Sequence, residues 1–208
     1  MIEQLSQMLG ENVPRGTFDR LVSFTEMLEI ENDQQNLISK SSVEQLWERH
    51  ILDSAQLLRF AQGPRSSWLD IGAGAGLPGM VLAILNDGPM TLVEPRKLRA
   101  DFLGRCVAEL DLGERVRVEA KRISAITGTY DCLTARAVGS VDRLFAMAGH
   151  LAGPNTRWIL PKGRSGRKEL AEAESNWQGR FFTEPSMTDG EAVIVLASGV
   201  RPRGRGRG

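Results

Sequence analysis

Four glycines fall within eight residues of one another, and an acidic residue follows about twenty positions behind the loop. The glycines are Gly72, Gly74, Gly76 and Gly79, in the stretch DIGAGAGLPG. Glycine accepts positive φ angles and has no Cβ atom, so such a backbone can approach a ligand closely. Glu94 ends the next predicted strand, where a carboxylate can accept hydrogen bonds from both hydroxyls of a ribose. This spacing predicts a site for an adenosine-containing cofactor.

Two cofactors compete for this loop, and a glycine-rich turn without a ligand would show the same composition. The G-x-G-x-x-G match at Gly74, Gly76 and Gly79 suits a dinucleotide whose pyrophosphate lies against a helix N-terminus. The glycines begin earlier, however, in the form Asp-Ile-Gly-Ala-Gly-Ala-Gly, which resembles the first motif of S-adenosylmethionine-dependent methyltransferases. A strand before the loop, a helix after it and the acid behind it together favour a ligand site over a bare turn.

The elements that must position this loop alternate along the chain. Apolar patterning predicts strands over 68–71, 90–93, 116–118, 130–135, 157–160, 181–184 and 192–197. It predicts helices over 77–85, 96–110, 140–151 and 166–177, with Pro78 in the first turn of the first of these. Residues 185–190 are too few for a parallel crossover, so the last strand should run antiparallel. The pattern predicts an α/β fold with a Rossmann-like seven-stranded sheet, as in class I methyltransferases.

The N-terminal part has no strand pattern and is predicted to form a helical cap over the carboxyl edge of the sheet. Phe18, Leu21, Val22 and Leu28 share one helical face, and residues 41–44 have capping-box spacing at the head of a second helix. His50 lies on the inward stripe of that second helix, either as a core histidine bonded to a neighbour or as a catalytic base. The predicted divisions are a cap over 1–65, a catalytic domain over 66–199 and a flexible basic tail over 200–208.

Composition sets further limits on function. Lysine and arginine number 26 and aspartate and glutamate 26, so the net charge does not by itself indicate nucleic-acid binding. No apolar run approaches the ~20 residues of a membrane span. The cysteines Cys106 and Cys132 lie in apolar patterns, for which reduced thiols in a cytoplasmic protein are expected. The tail RPRGRGRG is either a solvated terminus or a loose phosphate contact.

Several separate segments make the chain similar to the bacterial ribosomal small-subunit methyltransferase G family, also called glucose-inhibited division protein B. The segments are Asn-Leu-Ile at 36–38, Glu-Arg-His-Ile-Leu-Asp-Ser at 48–54, the loop with its Leu-Pro-Gly ending at 70–79, Thr-Ala-Arg-Ala at 134–137 and Pro-Lys-Gly at 161–163. The resemblance implies S-adenosylmethionine as cofactor, N7-methylation of a guanosine in 16S rRNA, and the small ribosomal subunit as partner. A monomer is expected.

The resemblance also implies roles for individual residues. Gly72 and Leu77 would line the cofactor, Ile123 and Ser124 would contact the adenine, and Arg136 would complete the pocket. The family usually has an acidic residue near Ser124, so its absence favours backbone contact to the adenine amine. Thr134 and the arginine-glycine tail are also departures from the family pattern.

Guanine N7 has a free lone pair, so the chemistry requires alignment and no proton removal. His50 and Arg136 are the catalytic candidates of such a positioning mechanism, and no metal ligands are predicted. Candidates for RNA phosphate contact are Arg49, Lys162 and Arg164, with an unpaired or extruded base as target because the major groove of A-form RNA is narrow. The alternatives are a related methyltransferase with another RNA or small-molecule substrate, an NAD-dependent oxidoreductase, and a non-catalytic RNA-binding module.

Overall fold

A seven-stranded sheet forms the centre of the molecule in a computed structural model that describes residues 1–39, 43 and 45–204. Its strand order is β3-β2-β1-β4-β5-β7-β6. Strands β1 to β5 are mutually parallel, and β7 runs antiparallel to both β5 and β6. The strand order reverses beside β1, where β1 pairs with both β2 and β4, so ligands are expected outside the carboxyl ends of these strands. The α/β class I methyltransferase fold predicted from the sequence is confirmed.

The strands are β1 (Trp68–Ile71), β2 (Met90–Val93), β3 (Val116–Glu119), β4 (Tyr130–Thr134), β5 (Ala152–Lys162), β6 (Trp177–Pro185) and β7 (Val193–Pro202). The α-helices are α1 (Ile2–Leu9), α2 (Arg15–Gln35), α3 (Gly79–Leu85), α4 (Lys97–Glu109), α5 (Val141–Ala148) and α6 (Gly166–Glu174). Helical segment 47–60 contains a π-helix at Trp47–Leu52, one α-turn at Asp53–Ala55 and a 3-10 helix at Gln56–Phe60. Two short 3-10 turns lie at Ile123–Ala125 and Gly149–Leu151. No helix in the described part of the chain has the length and apolar content needed to cross a membrane.

Alternation along the strands sends side chains into two hydrophobic clusters, one on each face of the sheet. On the first face, Trp68 and Leu92 pack with residues of α1, α2, segment 47–60, α3 and α4. On the second face, Leu69, Val93 and Trp158 pack with α5 and α6. Strands β1 and β2 are buried on both sides, which explains why they read in the sequence as continuous apolar runs.

Several predicted boundaries shift in the structure. Helix α3 begins at Gly79 rather than at residue 77, with Pro78 as its N-cap. The helix predicted over 166–177 ends at Glu174, because Trp177 already pairs with β7. Strand β5 begins at Ala152, five residues before the prediction. The hydroxyl of Thr156 accepts a hydrogen bond from Gly153 N–H and donates one to the Tyr130 carbonyl, and these bonds hold the start of β5 beside β4.

The N-terminal helices form a layer of the core rather than a cap over the carboxyl edge alone. Helix α2 contacts α3 and α4 on the first face, and the predicted face of Phe18, Leu21 and Leu28 is buried there. Of segment 47–60, the residues from Glu48 to Asp53 reach the carboxyl edge, where Asp53 approaches Arg136 of the loop after β4. The predicted capping box lies outside the described residues except for Val43. The domain boundary at residue 65 stays a prediction.

The tail predicted over 200–208 is ordered in its first part, which corrects the prediction. Strand β7 extends to Pro202, where Arg201 lies opposite Gln178 and Pro202 opposite Trp177. Arg203 donates from its backbone N–H to the Asn176 carbonyl and from Nε to the Glu174 and Trp177 carbonyls. Backbone pairing therefore orders the start of this segment, although its composition offers few apolar side chains to bury. Arg205 and Arg207 lie outside the described residues.

Candidate functional site

The loop between β1 and α3 takes the conformation that its glycines permit. Gly72, Gly74 and Gly76 have φ angles of 71°, 53° and 82°, a region that favours glycine. A Cβ at Gly72 would lie 2.8 Å from Val138 Cγ2, and one at Gly76 would lie 2.7 Å from Met80 Cγ. At Gly74 the nearest atoms are 3.7 Å away. The packing around the first and third glycines thus excludes a side chain, whereas a Cβ at Gly74 would meet its neighbours at ordinary contact distance.

Asp70, at the end of β1, supports the loop from below. Its Oδ2 accepts a hydrogen bond of 2.9 Å from Gly79 N–H, and its Oδ1 is buried without a hydrogen-bond partner among the described residues. Only 1% of the residue is exposed, and burial raises the pKa of this carboxyl to about 7. Gly79 has no room for a side chain, since a Cβ there would lie 2.6 Å from Asp70 Oδ2. Strand β1, the loop and the start of α3 are therefore joined at one carboxyl group.

Glu94, the predicted ribose ligand, is attached to the same loop. One carboxylate oxygen accepts the Gly74 N–H at 3.0 Å and the other accepts the Arg96 N–H at 2.8 Å. The residue is 4% exposed. Each carboxylate oxygen keeps acceptor capacity after one such bond, because a carboxylate offers about four lone-pair positions. The arrangement places this acceptor directly beside the backbone of Gly74.

The other predicted cofactor residues, Leu77, Ile123 and Ser124, differ in how far they are exposed. Leu77 is 5% exposed and its side chain packs in the first-face cluster. Ile123 is 9% exposed and packs in the second-face cluster with Ile71 and Val93, while Ser124 is exposed on the short turn that follows β3. Ser124 is thus the exposed residue of the three, whereas the side chains of Ile123 and Leu77 are packed in the hydrophobic clusters.

The loop after β4 links the glycine loop to the N-terminal layer. Its residue Ala137 has a φ angle of 58°, a left-handed value that is uncommon outside glycine. Val138 lies against Gly72, and Arg136 approaches Asp53 of segment 47–60 with Nη1 to Oδ2 at 3.5 Å. Asp53 also accepts hydrogen bonds from Gln56 Nε2 and Thr188 Oγ1, each at 2.8 Å. Arg136 is thereby fixed between the glycine loop and the turn that joins β6 to β7.

A cavity of about 890 Å³ opens beside Arg136, within the size range of ligand sites. Its walls come from the π-helix, the loop after β4, the end of β5 and the turn before β7. The charged and histidine side chains that line it are Glu48, Arg49, His50, Asp53, Arg136, Lys162, Arg164, Asp189 and Glu191. The loop glycines do not line this cavity, so the glycine loop and the cavity are neighbouring compartments that share the Arg136 loop.

His50 lies in the cavity wall without a hydrogen-bond partner for either ring nitrogen among the described residues. The interpretation of His50 as a core histidine bonded to a neighbour is therefore wrong. Burial, with a further contribution from the positive charge of Arg136, lowers its pKa to about 4. The ring is neutral near neutral pH and is a poor proton acceptor, because a group of such low pKa holds a proton weakly.

The three predicted phosphate contacts are not equivalent. Lys162 has a side chain 9% exposed, donates to the Gly139 carbonyl and pairs with Glu169 at 3.0 Å. Arg164 is exposed but pairs with Glu191 at 2.7 Å. Arg49 is exposed at the cavity rim, and no carboxylate of the described residues lies within 4 Å of it. Lys162 therefore supports the loop after β4, and Arg49 is the cation left available at this rim.

Both cysteines are buried free thiols. Burial raises the pKa of Cys132 to about 11 and that of Cys106 to about 12. A nucleophilic cysteine acts as the thiolate, so neither residue is suited to covalent catalysis at neutral pH.

Comparison with known proteins identifies the group to which these features belong. The family model described as rRNA small subunit methyltransferase G matches residues 17–193. The chain belongs to this family. The ribosomal RNA small subunit methyltransferase G of Rhizorhabdus wittichii is 44% identical over 94% of this chain and 91% of its own length. That of Zymomonas mobilis is 38% identical over 96% of this chain and 92% of its own length.

Solved structures agree on the fold. A glycopeptide N-methyltransferase complexed with S-adenosylhomocysteine superposes with a TM-score of 0.57 at 12% identity, covering 71% of this chain and 89% of the other. The resemblance stated from the sequence and the assignment to a methyltransferase family are thus confirmed. An NAD-dependent oxidoreductase and a non-catalytic RNA-binding module are set aside.

Two features of the site are not predicted from the sequence above. Asp70 belongs to the motif at 70–79, and its place at the end of an apolar strand directly before a glycine loop is the signal for a supporting role. The connection predicted at 185–190 lies at 186–192, where Thr188 and Glu191 bond the cavity residues Asp53 and Arg164. No local pattern marks that turn, because its partners lie more than twenty residues away along the chain.

Proposed function

We propose that this chain methylates N7 of a guanosine in 16S rRNA of the small ribosomal subunit. One observation supports this most directly: the loop after β4 covers Gly72 with Val138 and lines the large cavity with Arg136. A methyl donor held at the glycine loop and a base held in the cavity would then face each other across one loop. The family to which the chain belongs supplies the substrate class.

S-adenosylmethionine is the methyl donor, and when bound it supplies an electrophilic methyl group on a sulfonium. The residues fit this cofactor, since the loop at Gly74 has no Cβ to keep a ligand from the backbone, and the Glu94 carboxylate beside it can accept ribose hydroxyls. Gly72 and Gly76 would shape the loop, and Leu77, Ile123 and Ser124 would meet the adenosine mainly through backbone. Arg136 would complete the pocket on the side where it meets the cavity.

The cavity suits a nucleophile that needs no deprotonation. His50 is neutral with a pKa of about 4, Asp53 is engaged by Arg136, Gln56 and Thr188, and Glu191 is paired with Arg164. Guanine N7 carries a lone pair in its neutral form, so alignment alone prepares it for attack. His50 and Arg136 thus act by positioning the base.

Substrate access and setting follow from the same reasoning. A cavity of about 890 Å³ accepts a base extruded from the RNA, and Arg49 at its rim is placed for a flanking phosphate. The enzyme acts as a monomer in the cytoplasm, where ribosomal subunits mature.

The experiment is transfer of labelled methyl from S-adenosylmethionine to small ribosomal subunits, followed by borohydride reduction and aniline cleavage. One cleavage product that is lost in Gly74→Arg supports the reaction and the loop together. Gly128→Arg is the matched control, because Gly128 also has a positive φ angle, of 103°, but precedes the amino end of β4, away from the carboxyl edge. Cofactor binding without transfer to any site of 16S rRNA would refute the assigned substrate.

A further inference from the structure

A second cluster of cations lies on the first face of the sheet, where β5, β7 and β6 meet. We call it the arginine surface and define it by Arg59, Phe60, Arg157, Arg180 and Phe182. These residues line a groove of about 330 Å³. Phe182 is 59% exposed, whereas the neighbouring Phe181 points to the other face of the sheet and packs against its hydrophobic cluster. The groove is therefore an open part of the sheet with exposed charge and exposed aromatic area.

The three guanidinium groups have neutral partners only. Arg59 contacts Met187 Sδ and lies over the Phe60 ring, with Cζ 5.6 Å from the centroid. Arg157 donates to the carbonyls of Phe60 and Ala61, and Arg180 donates to Ser198 Oγ. No carboxylate of the described residues lies within 4 Å of any of the three.

This arrangement contrasts with the cavity, where Arg136, Lys162 and Arg164 are each paired with an acidic side chain. In a chain of zero net charge, three unpaired arginines beside two aromatic rings are a local excess of positive charge. Arginine forks match phosphate oxygens, and exposed rings accept stacked bases. The chemistry thus fits an anionic polymer that also presents flat bases.

The arginine surface is continuous with the cavity. Arg59 contacts Met187, and the neighbouring residues Ser186 and Thr188 line the cavity. Along β5, Arg157 and the cavity-lining residue Pro161 lie on the same face, four positions apart, which corresponds to roughly 13 Å at ~3.3 Å per residue. At ~3.4 Å per nucleotide, an RNA strand with one base in the cavity reaches the arginine surface within about four nucleotides.

We propose that the arginine surface binds the phosphate backbone of rRNA next to the methylated guanosine. The inference rests on the proposed function and extends it, because it supplies the phosphate contacts that the paired cations of the cavity do not provide. Arg59 and Arg180 contact phosphates directly, while Phe182 offers a ring to an unpaired base.

The test compares two double variants that each remove two exposed positive charges. The first double variant, Arg59→Gln with Arg180→Gln, changes the arginine surface. The second, Arg20→Gln with Arg117→Gln, changes exposed arginines on α2 and on β3, the strand at the opposite edge of the sheet from β6. The measurements are KM for small subunits in methyl transfer, and the affinity for protein-free 16S rRNA as a function of salt. Calorimetry gives the affinity for S-adenosylmethionine.

If two single-strand phosphate contacts are lost, the slope of log affinity against log salt falls by about 1.4, and KM for subunits rises about 25-fold at ~0.1 M salt. The affinity for S-adenosylmethionine stays unchanged, and the control pair stays near wild type. Equal behaviour of the two double variants would overturn the inference. A loss of affinity for subunits with full affinity for protein-free rRNA would also overturn it, because the surface would then contact a ribosomal protein.

The two proposals fail in different ways. Wild-type protein that transfers no methyl group to subunits contradicts the proposed function. The salt dependence of binding to protein-free rRNA is measured without any transfer, so it supports or contradicts the arginine surface on its own.

Discussion

Replacement of Asp70 by asparagine should change how the stability of the protein depends on pH. Burial raises the pKa of this carboxyl from 3.8 to about 7 in the folded state. The folded protein therefore binds the proton more tightly than the unfolded chain, so protonation of Asp70 favours folding. This contribution is fully present below the unfolded pKa and is lost as the pH rises to about 7.

The size of the effect follows from the shift. About three pKa units at ~1.4 kcal/mol each correspond to about 4 kcal/mol of unfolding free energy lost between roughly pH 4 and pH 8. Asparagine has nearly the same shape and can still accept the Gly79 N–H, but it does not ionise. The Asp70→Asn variant should therefore gain about 4 kcal/mol relative to wild type as the pH rises over that range.

Urea unfolding followed by circular dichroism at several pH values measures this difference. Asp33→Asn is the matched control, since it removes one carboxylate from the exposed surface of α2, and its effect should vary by less than about 0.5 kcal/mol. The reasoning is refuted if the difference between Asp70→Asn and wild type is the same at low and high pH.

Two further substitutions and one titration test other contacts. Gly79→Ala should lower the unfolding free energy by about 3 kcal/mol, because its Cβ would lie 2.4 Å from Leu92 Cδ2. The control Gly104→Ala, on α4 with nothing near its Cβ, should raise the unfolding free energy by about 0.5–1 kcal/mol in the same urea unfolding experiments. Lys162→Met should lower the affinity for S-adenosylmethionine about tenfold in calorimetry, because the loop after β4 loses the hydrogen bond from Lys162 to the Gly139 carbonyl. The affinity for rRNA should be retained. A loss of rRNA affinity alone would instead support Lys162 as a phosphate contact. His50 should titrate with a midpoint near 4 by NMR, because burial lowers its pKa from 6.5 to about 4. The unfolded chain then binds the proton more tightly, so the unfolding free energy should fall as the pH drops from about 6.5 toward 4. A midpoint above 6 would contradict the burial of the ring.

Most of the fold could be predicted from the sequence because the sheet is buried on both faces. Strands β1 and β2 match the predicted spans, since continuous apolar runs mark strands covered by helices. The errors lie where backbone pairing overrides composition. Strand β7 continues through Arg201 because β6 offers partners as far as Trp177, and no hydropathy pattern signals such pairing.

The site was predictable in its loops and not in its ion pairs. Glycine spacing indicated the positive φ angles of Gly72, Gly74 and Gly76, because few other residues adopt them. Lys162 and Arg164 looked alike as exposed cations after a strand. Their different states depend on Glu169 and Glu191, and the contact between Arg164 and Glu191 joins residues far apart in the chain.

The distribution of charge also explains how a neutral chain could act on a polyanion. Methyl transfer to N7 moves a positive charge from the sulfonium to the guanine ring, so the site gains no net charge and needs no strong counter-ion. Paired cations around the cavity give a nearly balanced field, in which the base is held mainly by shape and hydrogen bonds. Attraction for phosphates must then come from arginines that have no acidic partner among the described residues, and those nearest the cavity include Arg49 at its rim and the residues of the arginine surface. Substitutions inside the cavity should accordingly act on the rate of transfer, and substitutions at the arginine surface on KM and its salt dependence.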